Sequence, residues 1–502
     1  MVTGCGDLDS IVAESRLPHF VGDEEFGPST LAWRLLNRAA FGPRPGDLEE
    51  IAKMGEEAWL DTQLDPQNIK QPSELSLRLR RLDSLGLTPG LLREYNASNR
   101  QDEMVTPRLM DVLKVRQLFR HEPAEGLAQE ELVQATILRA TLSNRQLEEV
   151  LVEFWSDHFH ISQSKGEAEW LKTLDDENLR PHVLGSFREL LNASAHSPAM
   201  MVYLDNESSS AGAQLNENYG RELLELHTLG VNSDYTLNDV QEVARCFTGW
   251  GMHGVDSLQA GTFAFRGQDH DDGDKVVLGQ RIPAGGGQSD GELVLDMLAS
   301  HTSTAHFLCL KLCRRFVCDE PPKELVDELA AHFLETDGDL RSLTRKLFLN
   351  PAFAAPENTK FKRPFDFIVS SLRATNATVD GSGIASELVK LGHLPFGWAT
   401  PDGYPDEAPA WSSNLLGRWN FAIALLAGEV EGASVEAEFL YRATRTDDPV
   451  EACEALQRVV LGRAFESEVT DSFVHLTRDL EPAHSAERWL ALALASPEFQ
   501  VK

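Results

Sequence analysis

SNRQLEEVLVEFWSDHF, residues 143–159, is the stretch on which the fold turns. Leu147, Val150, Leu151, Phe154, Trp155 and Phe159 recur at steps of three and four, the repeat of a helix with one buried face. Ser143 is placed to cap the first turn, with Gln146 reaching back to it. One member of the stripe is out of character. His158 puts an imidazole among apolar groups, so it must find a hydrogen-bond partner. Burial lowers the basicity of such a ring and leaves it neutral, able to ligate a metal or take a proton; a structural bond to a carbonyl accounts for it equally well.

Helical signals continue on both sides. Leu31, Leu35, Leu36, Ala39 and Ala40 repeat after Ser29-Thr30 and stop at Gly42-Pro43; Asp47 and Glu50 are spaced as a capping box. A second strong helix is expected from about Gln214 to Leu229, with Leu215, Tyr219, Leu223 and Leu226 inward. Thr236 and Asp239 cap the next one, whose stripe is Val240, Val243, Ala244 and Phe247. Between about 256 and 290 the period changes to two. Phe263 and Phe265 alternate, Asp272-Gly273 is a turn signal, and Val276-Val277-Leu278 reads as the returning strand of one hairpin. The expected fold is mainly α: a multi-helix globular bundle with a small β-hairpin insertion near 260–280. Its organisation is a flexible acidic segment over 1–28, a helical domain over 29–425, and a C-terminal helical subdomain over 426–502 packed on it. The stretch Pro395–Trp411, rich in Pro, Gly and Asp with Trp398, Tyr404 and Trp411 between them, is expected as a structured lid or lobe junction.

Composition narrows the function. The 502 residues carry 46 Lys+Arg against 79 Asp+Glu, a net charge of −33, which repels phosphate backbones and disfavours nucleic acid as a partner. No run of 18 apolar residues occurs, so no membrane span is expected. Six cysteines are too few for a disulfide scaffold; Cys309 and Cys313, four apart, read as small core residues rather than soft metal ligands. Val2-Thr3-Gly4-Cys5 has the form of a lipoprotein processing site, with a lipid anchor at Cys5, but only four residues precede it. Placement in the cell envelope or periplasm is expected if the true start lies upstream, and in the cytoplasm otherwise.

The helix Asn216-Glu-Asn-Tyr-Gly220-Arg-Glu-Leu-Leu-Glu225-Leu-His-Thr-Leu-Gly230 carries a resemblance. Leu35–Gly42, Trp155–Phe159, Pro198–Asn206, Val243–Arg245 through Gly249-Trp250, His270-Asp271, Lys275, Leu278-Gly279, His301 and Lys311–Val317 follow in the same order. Together they resemble the bacterial family called domain of unknown function 1800, over about residues 29–425 and on toward the end of the chain. The resemblance implies a mainly helical protein. It also implies an exported sulfatase- or phosphatase-like protein as a pathway companion, since the family's genes often neighbour such a protein's.

For chemistry, Asn218, Arg221, Glu222 and Glu225 fall at i, i+3, i+4 and i+7 on one polar face. Two carboxylates a turn apart can ligate one hard cation or share a proton; the arginine beside them favours a salt-bridge network instead. His227, nearer the apolar side, reads as a core histidine. His270 and Asp271, beside the turn, can complete a ligand set. Gly287-Gln-Ser289-Asp-Gly291 spells a serine-hydrolase elbow but follows a glycine-rich loop instead of a strand. The first reading is therefore a metal-dependent hydrolase of the cell envelope. His158, Glu222 and Glu225 would be catalytic, and with His270 and Asp271 they would hold a divalent metal ion. The second is a non-catalytic partner or carrier for the sulfatase/phosphatase-like protein, with the Pro395–Trp411 loop as contact surface.

Overall fold

The structure, a computed structural model, describes residues 30–99, 107–117, 127–212, 215–254, 257 and 259–502. The acidic segment over 1–28 and Cys5 lie outside these residues. The chain is mainly helical, as its periodicity predicts, with short antiparallel strand pairs as the sheet structure among the described residues. No helix among them is long and apolar enough to cross a membrane.

The residues fall into two compact units. One comprises Asp61–Phe353 with Gly392–Ala410, the other Met1–Leu60, Ala354–Leu391 and Trp411–Lys502. In the first, the helix Gln146–His158 occupies the centre. Its stripe is buried, each large apolar side chain there contributing roughly 1.5–3 kcal/mol. Phe154 and Trp155 open a connected run of aromatic rings: Phe154 to Phe316 (5.9 Å), Phe316 to Phe348 (5.2 Å), Trp155 to Phe187 (5.9 Å) and Phe187 to Phe333 (5.8 Å).

The start of this helix differs from the capping expected of it. Only three residues separate it from the preceding helix, Ala128–Leu142, which Ser143 closes. The Ser143 hydroxyl accepts from the Arg145 amide (3.0 Å), while the Gln146 amide group donates back to the carbonyls of Ala140 and Ser143. With so short a connection, the same polar side chains serve the end of one helix and the entry to the next. By contrast, Thr236 and Asp239 form the reciprocal cap that their spacing predicts, opening Leu237–Cys246.

The long helix expected from Gln214 is shorter and of two kinds. Glu217–Glu222 is α-helical and Leu223–Thr228 is a π-helix, the wider turn being stitched by the Thr228 hydroxyl donating to the Leu223 carbonyl (2.6 Å). Such segments are rare and recur at functional sites. Gly220 lets this helix press on Leu237–Cys246: a methyl group there would lie 3.0 Å from the Val240 carbonyl oxygen and 3.1 Å from the Ala244 nitrogen.

The single hairpin expected over 256–290 is replaced by two. Strand β1 (Trp250–Met252) pairs with β2 (Phe263–Phe265), and β3 (Lys275–Val277) pairs with β4 (Gln280–Ile282). Phe263–Phe265 therefore does not meet Val276–Leu278. The β3–β4 turn is Leu278-Gly279, both with positive φ (47° and 77°), the conformation a two-residue hairpin needs. Asp272-Gly273 instead lies in an Asp turn, the Gly273 amide donating to Asp271 Oδ1 (2.9 Å).

In the second unit, Leu31–Arg38, capped by Thr30 as predicted, Pro364–Ala374, Leu415–Leu426, Pro449–Leu461 and Pro482–Ala495 build the core. The last residues are bound into it. Arg38 donates to the Lys502 carbonyl (2.7 Å), Lys502 pairs with Asp366 (3.0 Å), and Arg418 donates to Gln500 Oε1 (3.2 Å). Strand β5 (Thr378–Val379) pairs with β6 (Ala433–Ser434).

The Gly220 contact gives an expected outcome. Gly220→Ala should lower the unfolding free energy by about 1–3 kcal/mol, because the neighbouring helix must give way. Gly90→Ala, in a helix with open space around the new methyl, should be neutral or stabilise by up to about 1 kcal/mol. Denaturant titration of the two variants checks this; equal effects would show that the helix contact is loose.

Candidate metal centre

The polar side of the central helix carries Glu153 and Asp157, one turn apart and thus on one face. The loop over residues 392–410 crosses this face and brings His393. Oxygen and nitrogen donors of Glu153, Asp157 and His393 all lie within 4.8 Å of one another, with the two carboxylates half-buried and the imidazole buried.

Each of the three is held from behind. The helix Thr302–Phe316 supplies Lys311 and Arg315, again one turn apart. The buried Arg315 guanidinium reaches Glu153 Oε2 (2.5 Å) and Asp406 Oδ1 (3.4 Å), bracing a helix carboxylate against the loop. The Tyr404 ring packs on the His393 ring (centroids 4.2 Å apart), and its hydroxyl donates to the Leu394 carbonyl (2.7 Å). Gly403, at φ +74°, sits so close to the Asp157 carbonyl that a methyl group would fall 2.2 Å from the oxygen. Only glycine lets the loop pass here. Asp402 accepts from the Trp398 indole (3.1 Å) and the Thr400 hydroxyl (2.5 Å), stiffening the loop tip.

The residues singled out in the sequence fall into three neighbourhoods. His158 lies one residue past Asp157 and faces inward. Its Nε2–H donates to the His227 carbonyl (3.0 Å), which leaves Nδ1 as the acceptor for the Lys311 ammonium (3.1 Å). Both ring nitrogens are engaged, so His158 orients Lys311 rather than offering a ligand atom. Burial, then the charges of Lys311 and His227, hold its pKa well below the usual histidine range. His227 is buried too, its Nε2 without a hydrogen-bond partner among the described residues, and burial takes its pKa down to about 3.

Glu222 and Glu225 form the second neighbourhood. Arg221 bridges Glu225 (3.4 Å) and Glu217 (3.8 Å), so part of this face is the salt-bridge network its composition predicts. Glu222 is half-buried, and its pKa is raised by that burial, then by Glu225, with Arg221 opposing and Asp402 adding. The Asp402 contribution puts Glu222 in the electrostatic field of the loop that carries His393. The third neighbourhood holds His270 and Asp271. His270 donates from Nδ1 to the Thr248 carbonyl (2.9 Å) and lies 3.3 Å from Asp290, which also takes the Lys275 ammonium (2.6 Å). Asp271 accepts two bonds from Arg245 (2.8 and 3.0 Å), and these hold its pKa at about 2. Their bonds thus run to the helix Leu237–Cys246 and the segments beside it, while the three-donor cluster forms at Glu153, Asp157 and His393. Cys309 and Cys313 are buried thiols whose pKa values burial raises, in keeping with a core role.

The model of the family described as protein of unknown function, DUF1800, matches residues 34–501. The chain belongs to the DUF1800 family. No curated protein and no solved structure matches the chain. Within this DUF1800 chain the apolar stripe of residues 143–159 is the readable half of the central helix. Glu153 and Asp157 were legible as an i, i+4 acid pair on its other face, but His393 lies 236 positions beyond Asp157 and only folding brings it there.

The buried histidines set a pH dependence. Unfolded, His227 has the ordinary histidine pKa of 6.5; folded, burial takes it to about 3. Below pH 6.5 the unfolded chain takes up a proton the fold refuses, so stability is complete above 6.5 and falls as the pH drops. For His227 the loss between pH 7 and pH 5 is roughly 2 kcal/mol. His227→Leu should flatten the wild-type decline by about that amount in denaturant titrations at the two pH values; an unchanged slope would show that His227 titrates as an ordinary exposed histidine.

Proposed function

We propose that this DUF1800 chain is a metal-dependent hydrolase whose cation is held by Glu153, Asp157 and His393. One observation carries the reading: two carboxylates from a rigid helix and one imidazole from a braced loop converge within 4.8 Å. Two oxygens and one nitrogen suit a divalent ion of the zinc or manganese kind, and three protein ligands leave positions for water. A bound cation would lower the pKa of that water toward neutrality.

The residues of the chain supply the rest. Arg315 orients Glu153, Tyr404 orients His393, and the Gly403 passage fixes the loop against Asp157, the supporting role that decides metal affinity. Glu222, whose carboxyl is pushed toward the protonated form, is the group we assign to proton transfer. Glu225 reinforces that shift through repulsion, and Arg221 opposes it. In this proposal His158 is a positioning residue, because it holds Lys311 beside Asp157, whose charge Lys311 feels.

Elemental analysis of purified protein, with calorimetric titration of Zn²⁺ and Mn²⁺ into stripped protein, tests the centre. One equivalent of metal is expected in the wild type. Asp157→Asn and His393→Ala should each weaken it by more than about tenfold while the circular dichroism spectrum stays native. A wild type that takes up neither ion removes the centre. Gly403→Ala, which touches no ligand, should also weaken metal binding by displacing the loop; unchanged affinity would show that the loop is not what sets the geometry. Glu222→Gln should keep the metal and lose about 10²–10⁴-fold of hydrolysis on a panel of nitrophenyl esters and phosphoesters. Equal rates in the two proteins would take the proton-transfer role from Glu222.

A second reading, a docking role toward an exported sulfatase- or phosphatase-like partner, draws on a different surface. Leu416, Trp419 and Ile423 lie at i, i+3 and i+7 on Leu415–Leu426 and are 67%, 44% and 51% exposed. An exposed apolar stripe with a tryptophan is the composition of a contact surface. Co-purification of the two proteins, lost in Trp419→Ser, would favour it; co-purification that survives the substitution would count against it.

A further inference from the structure

A second site lies in the same unit, built from residues that the metal centre does not use. The helix Phe187–Ala195 presents Arg188 and Asn192 one turn apart, His196 follows at its C-cap, and Asn178 and His182, themselves four apart, complete the lining of a cavity of about 350 Å³. That volume is at the lower end of small-molecule sites, which run from about 300 to 1,000 Å³.

The hydrogen bonds divide the wall into groups already engaged and groups left over. The Arg188 guanidinium is taken by Glu292 (3.2 Å) and by Asp296. His196 is satisfied at both nitrogens: Nδ1 donates to the Asn192 carbonyl (2.9 Å), and Nε2 lies 3.1 Å from Glu292. Arg188 therefore already faces two carboxylates, and Glu189 on the cavity wall adds a further negative charge. An anionic ligand would meet that carboxylate with no uncommitted cation to balance it.

What remains is uncharged and two-faced. Asn178, which is exposed, spends one N–H on the Ala193 carbonyl (3.0 Å) and keeps its oxygen open. The Asn192 side-chain amide makes no hydrogen bond among the described residues, although it lines the cavity, so it offers both donors and an acceptor. The half-buried His182 ring likewise has no hydrogen bond or ring partner there. It offers one donor, one acceptor and a flat apolar face. Ala193 gives a small apolar patch beside it.

We propose that this cavity binds a neutral polyhydroxylated molecule of monosaccharide size. Hydroxyl groups both donate and accept, which is what Asn178 Oδ1, the Asn192 amide and His182 together require. The C–H face of a sugar ring would lie on His182 and Ala193. The site is independent of the proposed hydrolytic reaction and stands whether or not a metal is bound at Glu153.

Saturation-transfer NMR on the full chain tests it, with methyl α-D-glucopyranoside as the neutral probe and gluconate as the anionic one. Saturation transfer to the glucoside is expected in the wild type and little to gluconate. Asn192→Leu fills the cavity but keeps the backbone carbonyl that holds His196; it should reduce the transfer several-fold with the unfolding midpoint unchanged. His182→Ala removes the stacking face and should do the same, which keeps the test open if the leucine variant folds poorly. No transfer from the wild type, equal transfer in both variants, or a stronger signal for gluconate would each overturn the proposal.

Discussion

The hydrogen bond from Lys311 Nζ to His158 Nδ1, 3.1 Å long, joins the two halves of the larger unit's chemistry. On one side of it lie the aromatic rings of Phe154, Trp155 and Phe159; on the other stand Asp157, Asp402, Asp406 and Glu407, whose charges Lys311 feels. Burial lowers the pKa of an amine in such a position, and those carboxylates oppose the shift. His158 can accept from it only because its other nitrogen donates to the His227 carbonyl, and this fixes the tautomer. The π-helical turn that carries His227 thus bears on the orientation of a lysine on the helix Thr302–Phe316.

This arrangement explains why the sequence was informative in one direction and silent in another. An apolar repeat is a local property, so residues 143–159 announce their helix and Thr236 with Asp239 announce theirs. A histidine within the stripe announces only that something must satisfy it. The partners, a carbonyl 69 residues along and a lysine 153 residues along, have no local trace. The same holds for His393, whose loop was marked by its Pro, Gly and aromatic residues but not by what it would cover. The hairpin region misleads for a related reason. Asp272-Gly273 has turn chemistry, but the Asp271 side chain and Arg245 use it to close an ion pair, while the less conspicuous Leu278-Gly279 makes the reversal.

Charged groups are buried in both units, and several of them are paired with an opposite charge. Lys172 with Asp175, and Asp176 between Arg139 and Arg180, stand along one helix of the larger unit; Lys502 with Asp366 closes the other unit's C-terminus. Pairs like these contribute little net stability, because desolvation offsets the attraction, but breaking one leaves an uncompensated charge worth several kcal/mol. They fix which surfaces meet more than how firmly. For Asp176, burial alone would raise the pKa, and Arg180 and Arg139 outweigh it and hold the carboxylate ionised.

The Glu153 cluster is different in kind, because it gathers two carboxylates and a buried imidazole at one point instead of setting one charge against its opposite. The Gly403 passage keeps the loop that carries His393 against the helix that carries Asp157, so the three donors stay together. In the proposed reading a divalent ion would engage both carboxylates at once, and the nitrogen of His393 would give it a third ligand that a proton would not require.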